Sequence, residues 1–321
     1  MVSSKDPAEL DGYQHFEGEG VLRRLKWLVL VVVVFAVGLG LFLLFQPATP
    51  QDVSPLMAYA ETQSYGALIR AVQERPVPEE GFRFVALGDT RSNINIARKV
   101  LTRVVEESPA FILSNGDIVR RGRVEEYIAH HLRLVEQVAP TPFIPAPGNH
   151  EEDPNGDFAT FEALYNGQRF SFDYGNCRFV GINNGDRNGM SGSDLAFLER
   201  ELSKDGAAHK FVVFHVPPRF LENAVESEEG RGFWWNAKKL RRLMTAMHVD
   251  HVFMGHVHGY ASEVVDGVRY TITGGAGASL TDNLGNEGRV HNFVVVRVTP
   301  DGVRNEVVRL INGEWVTSEV K

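Results

Sequence analysis

Among 321 residues there is one cysteine, Cys177. That excludes an intrachain disulfide in any compartment and leaves no thiolate set for a finger-type structural zinc. Its neighbours Arg178-Phe179-Val180 read as strand, so Cys177 is expected to be a small buried hydrophobe rather than a reactive thiol. Positive charge is also short: 33 Lys and Arg face 41 Asp and Glu, a formal net charge of −8. Nucleic acid is therefore not expected as a partner, because phosphate backbones call for a basic surface. Phosphorylated substrates held through bound cations stay open. No internal repeat is visible at a period of about 20 to 50 residues, which excludes a solenoid. The glycine-rich run Gly274-Gly275-Ala276-Gly277 lacks a following Lys-Ser or Lys-Thr, so it is no P-loop. It reads instead as backbone passing close to a site.

Charge is missing altogether from residues 27–45, nineteen positions that follow directly on Arg23, Arg24 and Lys26. As a helix this run spans about 28 Å, close to the hydrocarbon thickness of a bilayer. It is longer than the usual signal-peptide core and lacks a clean small-x-small cleavage site, so a signal anchor is preferred to a cleaved signal. The next basic residue is Arg70. That asymmetry places the N-terminus in the cytoplasm and everything after the span outside it. The expected organisation is a cytoplasmic tail (1–22), a transmembrane signal-anchor helix (23–46), a proline-bearing stalk (47–81) around one weakly helical patch from Leu56 to Gln73, and a soluble domain (82–321).

What the chain does have is a repeated local arrangement. Hydrophobic content of 43% beside 23% charged residues is that of a folded protein. From Phe82 onward short apolar runs alternate with helical patterns, which predicts α/β architecture. Helices are expected over residues 94–107, 124–138, 158–165, 193–204 and 237–247, with Ser193 capping the fourth. A closing set of antiparallel strands is expected over residues 262–310. Five of the apolar runs end at once in polar residues: Asp89, then Asn115-Gly116-Asp117, then Asn149-His150-Glu151, then His215, then His256 and His258. Open α/β sheets bind ligands beyond their strand ends, so these residues are expected to face one crevice. Carboxylates, imidazoles and one amide form a mixed donor set suited to first-row metals such as Mn, Fe or Zn. Asp89, Asp117, Asn149, His150, His215, His256 and His258 are seven such groups, too many for a single ion, and two ions would need a shared ligand.

In that order, Gly88-Asp89, Gly116-Asp117, Gly148-Asn149-His150-Glu151, His215 and Gly255-His256-Val257-His258 closely resemble the calcineurin-like metallophosphoesterases. The resemblance covers residues 82 to 313. It implies a four-layer αββα sandwich, two mixed β-sheets flanked by helices, and a phosphoesterase that uses metal-activated hydroxide on a phosphorylated small molecule or protein. It implies two divalent or trivalent metal ions. Asp117 would bridge them, Asp89 and His258 would hold the first, and Asn149, His215 and His256 the second. His150 would serve the leaving group, with Glu151 behind it. One position departs from the family: Asp-x-His is here Asp89-Thr90-Arg91. Purple acid phosphatases, which look like cousins, compensate with a Tyr three residues after the bridging Asp, where this chain has Arg120. Either Asn93 or water completes the first metal's shell, or that ion is held weakly. Arg91 is expected to clamp substrate phosphate, the alternative being an outward ion pair of little consequence. The rival to an enzyme is an idle module of the same fold that binds a phosphorylated ligand.

The duller readings are equally specific. Trp234-Trp235 is expected to pack inward, His130-His131 to lie on a helix surface, and the acidic run 222–229 to be a solvated loop.

Overall fold

The computed structural model describes residues 11–44, 50–221, 232–281 and 284–320. They fall into two units, Met1–Thr49 and Pro50–Lys321. In the first, helix α1 (Asp11–Leu44) carries the uncharged run. Its segment Leu22–Leu41 has a mean hydropathy of 2.2 over 20 residues and none of it is buried, as a membrane span or a signal sequence requires. Residues 11–22, expected as a plain tail, belong to the same helix.

The second unit is built on two six-stranded mixed sheets. One contains β1 (Phe82–Leu87), β2 (Ile112–Ser114) and β3 (Phe143–Pro145), which run parallel. The other contains β4 (Phe170–Tyr174), β5 (Cys177–Gly181), β6 (His209–Val213), β7 (His251–Met254), β8 (Tyr260–Val265) and β9 (Val268–Thr273). In that sheet β5, β6, β7 and β9 are parallel neighbours. The chain returns to the first sheet with β10 (His291–Thr299), β11 (Gly302–Ile311) and β12 (Glu314–Glu319), an antiparallel run that joins β1 through β10. The expected four-layer sandwich is what forms. Strand β12 was not expected, although Asn312-Gly313 signals a hairpin turn. Both turn residues have positive φ, 51° and 89°.

Alternation along the strands explains the layers, because successive side chains take opposite faces. Phe179, Phe211 and Phe253 enter the core between the sheets, whereas Val180, Val212, Val252 and Met254 join the outer core. The Phe84 ring of the opposite sheet lies 5.1 Å from Phe179, 5.0 Å from Phe211 and 6.1 Å from Phe253. Burying each such ring is worth about 1.5–3 kcal/mol. Helices α4 (Ile94–Glu106) and α6 (Leu132–Val138) cover the first sheet, and α8 (Gly192–Leu202) and α9 (Ala237–Ala246) the second. Between α4 and α6 lie the single turn α5 (Val124–Glu126) and a π-helical segment, Tyr127–His131; α7 (Ala159–Tyr165) falls before β4. The short α10 (Gly285–Gly288) precedes β10.

Several local expectations are corrected. The stretch read as a stalk forms α2 (Ser54–Gln63) and α3 (Tyr65–Gln73), whose Leu56, Tyr65, Leu68 and Val72 are buried in the inter-sheet core. Gln51 ties it down further, donating to Gly122 O at 3.0 Å and Thr160 Oγ1 at 3.1 Å. Proline content marked a linker, but Pro55 stands in the first turn of a helix, where its missing N–H is harmless. The cap of α8 is Ser191, not Ser193: it accepts from Asp194 N at 3.0 Å in a reciprocal capping box. The π-helical Tyr127–His131 interrupts the helix expected over 124–138. His131 is not on the surface: it shares the face of Val124, Tyr127 and Val135 and is fully buried against Tyr165 Oη, while His130 bonds Thr90 O at 3.0 Å. Trp234 and Trp235 are 74% and 46% exposed rather than packed. The acidic run 222–229 lies outside the described residues. Cys177 is buried as expected, and burial pushes its thiol up to about 12.

Two buried histidines make the domain sensitive to acid. Burial pushes His131 and His251 each down to about 3, from an ordinary value of 6.5. Both are neutral in the folded state, so their contribution is complete above pH 6.5 and falls as the unfolded chain takes up protons between 6.5 and 3. Each group should remove about 1.4 kcal/mol per pH unit in that window. In urea unfolding of wild type and His131→Gln from pH 7 to 4, the variant's pH slope should be shallower by one proton. An unchanged slope would refute the assignment.

Candidate metal centre

Parallel strand order brings the functional loops together. β1, β2, β3, β6 and β7 all point their C-terminal ends to one edge, and each is followed by one of the polar segments. Turning the chain sharply there puts Asp89, Asp117 and His256 at positive φ, 58°, 54° and 70°. Such conformations cost non-glycine residues about 1–3 kcal/mol each and collect at functional sites. Close approach explains the glycines beside them. A Cβ on Gly148 would stand 2.4 Å from Asp117 Oδ1, and one on Gly255 2.5 Å from Asp89 Oδ2. The expected passage of the 274–277 run by the site is also found: Ala276 N donates to Gly88 O at 3.1 Å and Ala278 N to Asp89 O at 2.8 Å.

All seven ligand-type residues reach this crevice. Asp89, Asp117 and His215 are buried and offer ligand atoms within 4.8 Å of one another. His215 Nε2 is 3.2 Å from both Asp117 Oδ1 and Asn149 Oδ1, and His256 Nδ1 is 2.7 Å from Asn149 Oδ1. His215 Nδ1–H donates to Asn115 O at 2.7 Å, so Nε2 is the nitrogen that faces the two oxygens. Ligands about 2.0–2.2 Å from a common ion would be spaced in roughly this way. The donor chemistry and spacing therefore fit a metal held by Asp117, Asn149, His215 and His256. A further sign is Asp89 Oδ1, a buried carboxylate oxygen that accepts no hydrogen bond.

Electrostatics centre on Asp117. Burial alone would raise its carboxyl, but His215, His150 and Arg91 hold it well below the usual carboxylate range. Burial would lower His215, yet the Asp117 carboxylate pushes it up to about 9. Glu151 is not a partner of the His150 side chain. It accepts from the backbone N–H of Asp117 (2.7 Å), Gly148 (2.6 Å), Ile118 (2.8 Å) and Val119 (3.1 Å), so it braces the loop that carries Asp117. Burial, then the Asp117 charge, raise it to about 7. Asn93, weighed as a ligand, accepts from Ile96 N at 3.2 Å and caps α4.

His150 stands at the rim with 31% of its side chain exposed. Its Nδ1–H donates to Arg120 O, which leaves Nε2 bare, 3.9 Å from Asp117 Oδ2. Beside it Arg120, Arg121 and Arg123 line a cleft of about 340 Å³ together with Asn149, Glu152 and Asp153. Arg91 turns inward, not to the surface: its Nε donates to Asp117 Oδ2 at 3.0 Å and its Nη2 lies 3.1 Å from His258 Nε2. Two residues support the ligands in ways the sequence reading did not assign: Asn115, named there without a role, and Asn184, not named. Asn115 holds His215 Nδ1 through its carbonyl and donates Nδ2–H to Met254 O at 2.8 Å. Asn184 Oδ1 accepts from His215 N and Val216 N, both at 2.9 Å. The signal for Asn184 was present, since it follows β5 as the other polar segments follow their strands.

The family model for calcineurin-like phosphoesterases matches residues 82–260. Among solved structures, a purple acid phosphatase from yellow lupin (Lupinus luteus) seeds superposes with a TM-score of 0.59 at 17% identity, covering 73% of this chain and 52% of that one. The present chain thus spans about half the length of the lupin protein. GAP50 of Plasmodium, described as the anchor in the inner membrane complex, gives 0.58 at 17% identity, over 75% and 88% of the two chains. PhoD gives 0.52 at 12% identity, over 76% and 70%. No curated protein sequence matches. At these identities the likenesses establish the fold. With the family model spanning more than half of its length and the metal-type residues gathered at the strand ends, the chain belongs to the calcineurin-like phosphoesterase family.

Proposed function

We propose that this protein is a membrane-anchored, metal-dependent hydrolase of phosphate esters. The observation that supports the reading is the convergence of Asp117, Asn149, His215 and His256 beside a histidine whose Nε2 is free. A metal held by those four residues supplies, when bound, positive charge against a phosphoryl oxygen and acidity to a water molecule at neutral pH. Everything else falls to the chain itself. Asp117 provides the negative charge, and the Asn115 carbonyl fixes the tautomer of His215. His150 takes up a second proton at its solvent-exposed Nε2 and hands that proton to the departing oxygen, its ring oriented by Arg120 O. Two of the five guanidinium N–H groups of Arg91 are already directed at Asp117 and His258, and others are left to grip phosphate. The arginines along the His150 cleft suit an anionic substrate.

Arg23, Arg24 and Lys26 before the apolar segment support anchoring with the catalytic unit outside the cytoplasm. The test has two parts. A reporter fused after Lys321 should be active only on the extracytoplasmic side. Purified protein stripped by chelator should regain hydrolysis of simple aryl monoesters or diesters on adding Mn, Fe or Zn. Cytoplasmic reporter activity would overturn the orientation. Metal binding without hydrolysis of any ester would favour the idle binding module instead.

A further inference from the structure

The two sides of the centre are not alike. On one side Asn149 Oδ1, His215 Nε2, His256 Nδ1 and Asp117 Oδ1 converge at 2.7 to 3.2 Å with no guanidinium or ammonium among them. On the other side a guanidinium is already in place. Asp117 Oδ2 accepts from Arg91 Nε at 3.0 Å. His258 donates Nδ1–H to Ser279 O at 2.8 Å, so its Nε2 is an acceptor, and it faces Arg91 Nη2 at 3.1 Å. We propose that the Arg91 guanidinium stands in for one of the family's two metal ions, so that the centre holds a single metal with Arg91 as its fixed second cation. The proposal rests on the metal-dependent reading above.

Three arguments carry it. A metal bound to Asp117 Oδ2 and His258 Nε2 would compete with the guanidinium for the one Nε2 lone pair of His258 and would find Oδ2 already bonded once. It would also sit against a cation that cannot shed its proton. Nor is Arg91 loosely placed: its backbone N–H donates to Asp117 O at 3.1 Å, and Nη1 donates to Ser92 Oγ at 3.2 Å. The preceding residue is wedged as well, since a Cβ on Gly277 would meet Thr90 O at 2.6 Å. Asp89 Oδ1, a buried oxygen without a hydrogen bond that lies 3.4 Å from His258 Nε2, is the feature that would favour a second ion. Yet Asp89 lies within the same 4.8 Å group as Asp117 and His215, so it can serve the single ion with them. Of the five guanidinium N–H groups, Nε, Nη1 and Nη2 each spend one, and two remain to bind a phosphoryl oxygen beside the metal. The substrate phosphate would then lie between a metal and a guanidinium.

The measurement is metal content and not turnover. Full-length protein in detergent, loaded with Mn2+ and freed of excess by gel filtration, should hold about one ion per chain, with an isolated-ion EPR spectrum. Arg91→His rebuilds the family's Asp-x-His, and Arg91→Ala removes the cation without adding a ligand. Either variant should raise the content about twofold at saturating Mn2+, and Arg91→His should show exchange coupling between two ions. Two ions per wild-type chain would overturn the inference while leaving the phosphoesterase reading intact. So would a content of one in both Arg91 variants. No bound metal in folded wild type would overturn the metal-dependent reading itself, and the inference with it.

Discussion

Asp117→Asn is expected to empty the centre of metal and to reduce hydrolysis by about a thousandfold or more, the scale at which enzymes lose a principal electrostatic element. The substitution is conformationally mild, because asparagine tolerates the left-handed backbone that Asp117 adopts at φ 54°. Its effect is chemical. Oδ1 accepts from His150 N at 3.0 Å and faces His215 Nε2 at 3.2 Å, while Oδ2 accepts from Arg91 Nε at 3.0 Å. An amide must place its NH2 on one of these sides. Turned toward Arg91 it opposes donor to donor, and turned toward His150 and His215 it removes the metal-facing oxygen. Either way the partly buried guanidinium of Arg91 loses its counter-charge. The variant should therefore also unfold at lower urea. Metal analysis, kinetics and urea unfolding on the same preparation check all three. A variant that retains metal and most activity would show that Asp117 is not the central ligand.

His150→Asn should behave differently, keeping its metal while losing turnover. The imidazole lies at the rim, its Nδ1 committed to Arg120 O, and Nε2 is too far from Asp117 Oδ2, at 3.9 Å, for a direct hydrogen bond. None of the converging ligand contacts involves this side chain. A lost general acid matters most when the leaving oxygen is a poor one. The deficit should be about a hundredfold or more for alkyl phosphates and much smaller for nitrophenyl esters. Equal deficits across a leaving-group series would count against proton transfer by His150. Metal loss in the variant would mean that it is a ligand.

How much of this was legible beforehand depended on the range of the interaction involved. Strand-end placement needs only an apolar run and the polar residue that follows it, and Asp89, Asp117, Asn149, His215, His256 and His258 were all found in that way. The alternation that sends Phe211 to one core and Val212 to the other is equally local. Where the sequence misled, partners came from far along the chain. Residues 54–73 look like a linker until Leu56, Tyr65 and Leu68 meet the inter-sheet core, and Tyr65 Oη reaches Pro145 O at 2.7 Å, 80 residues away. His131 passes for a surface residue by its polarity, although it stands seven residues after Val124 and four after Tyr127 on the face that is buried.

By itself, then, the sequence determined an uncharged membrane-length segment, an α/β chain and a set of metal-type residues each at the end of a strand, because these depend on composition and on the two-residue period of strands. Only the tertiary structure decided that Asn149, His215, His256 and Asp117 converge on one side while Arg91 bonds Asp117 and His258 on the other. His258 is 167 residues from Arg91 and Asp117 is 26. No local pattern encodes the direction of a long flexible side chain, which follows the charges that the folded sheets bring within its reach.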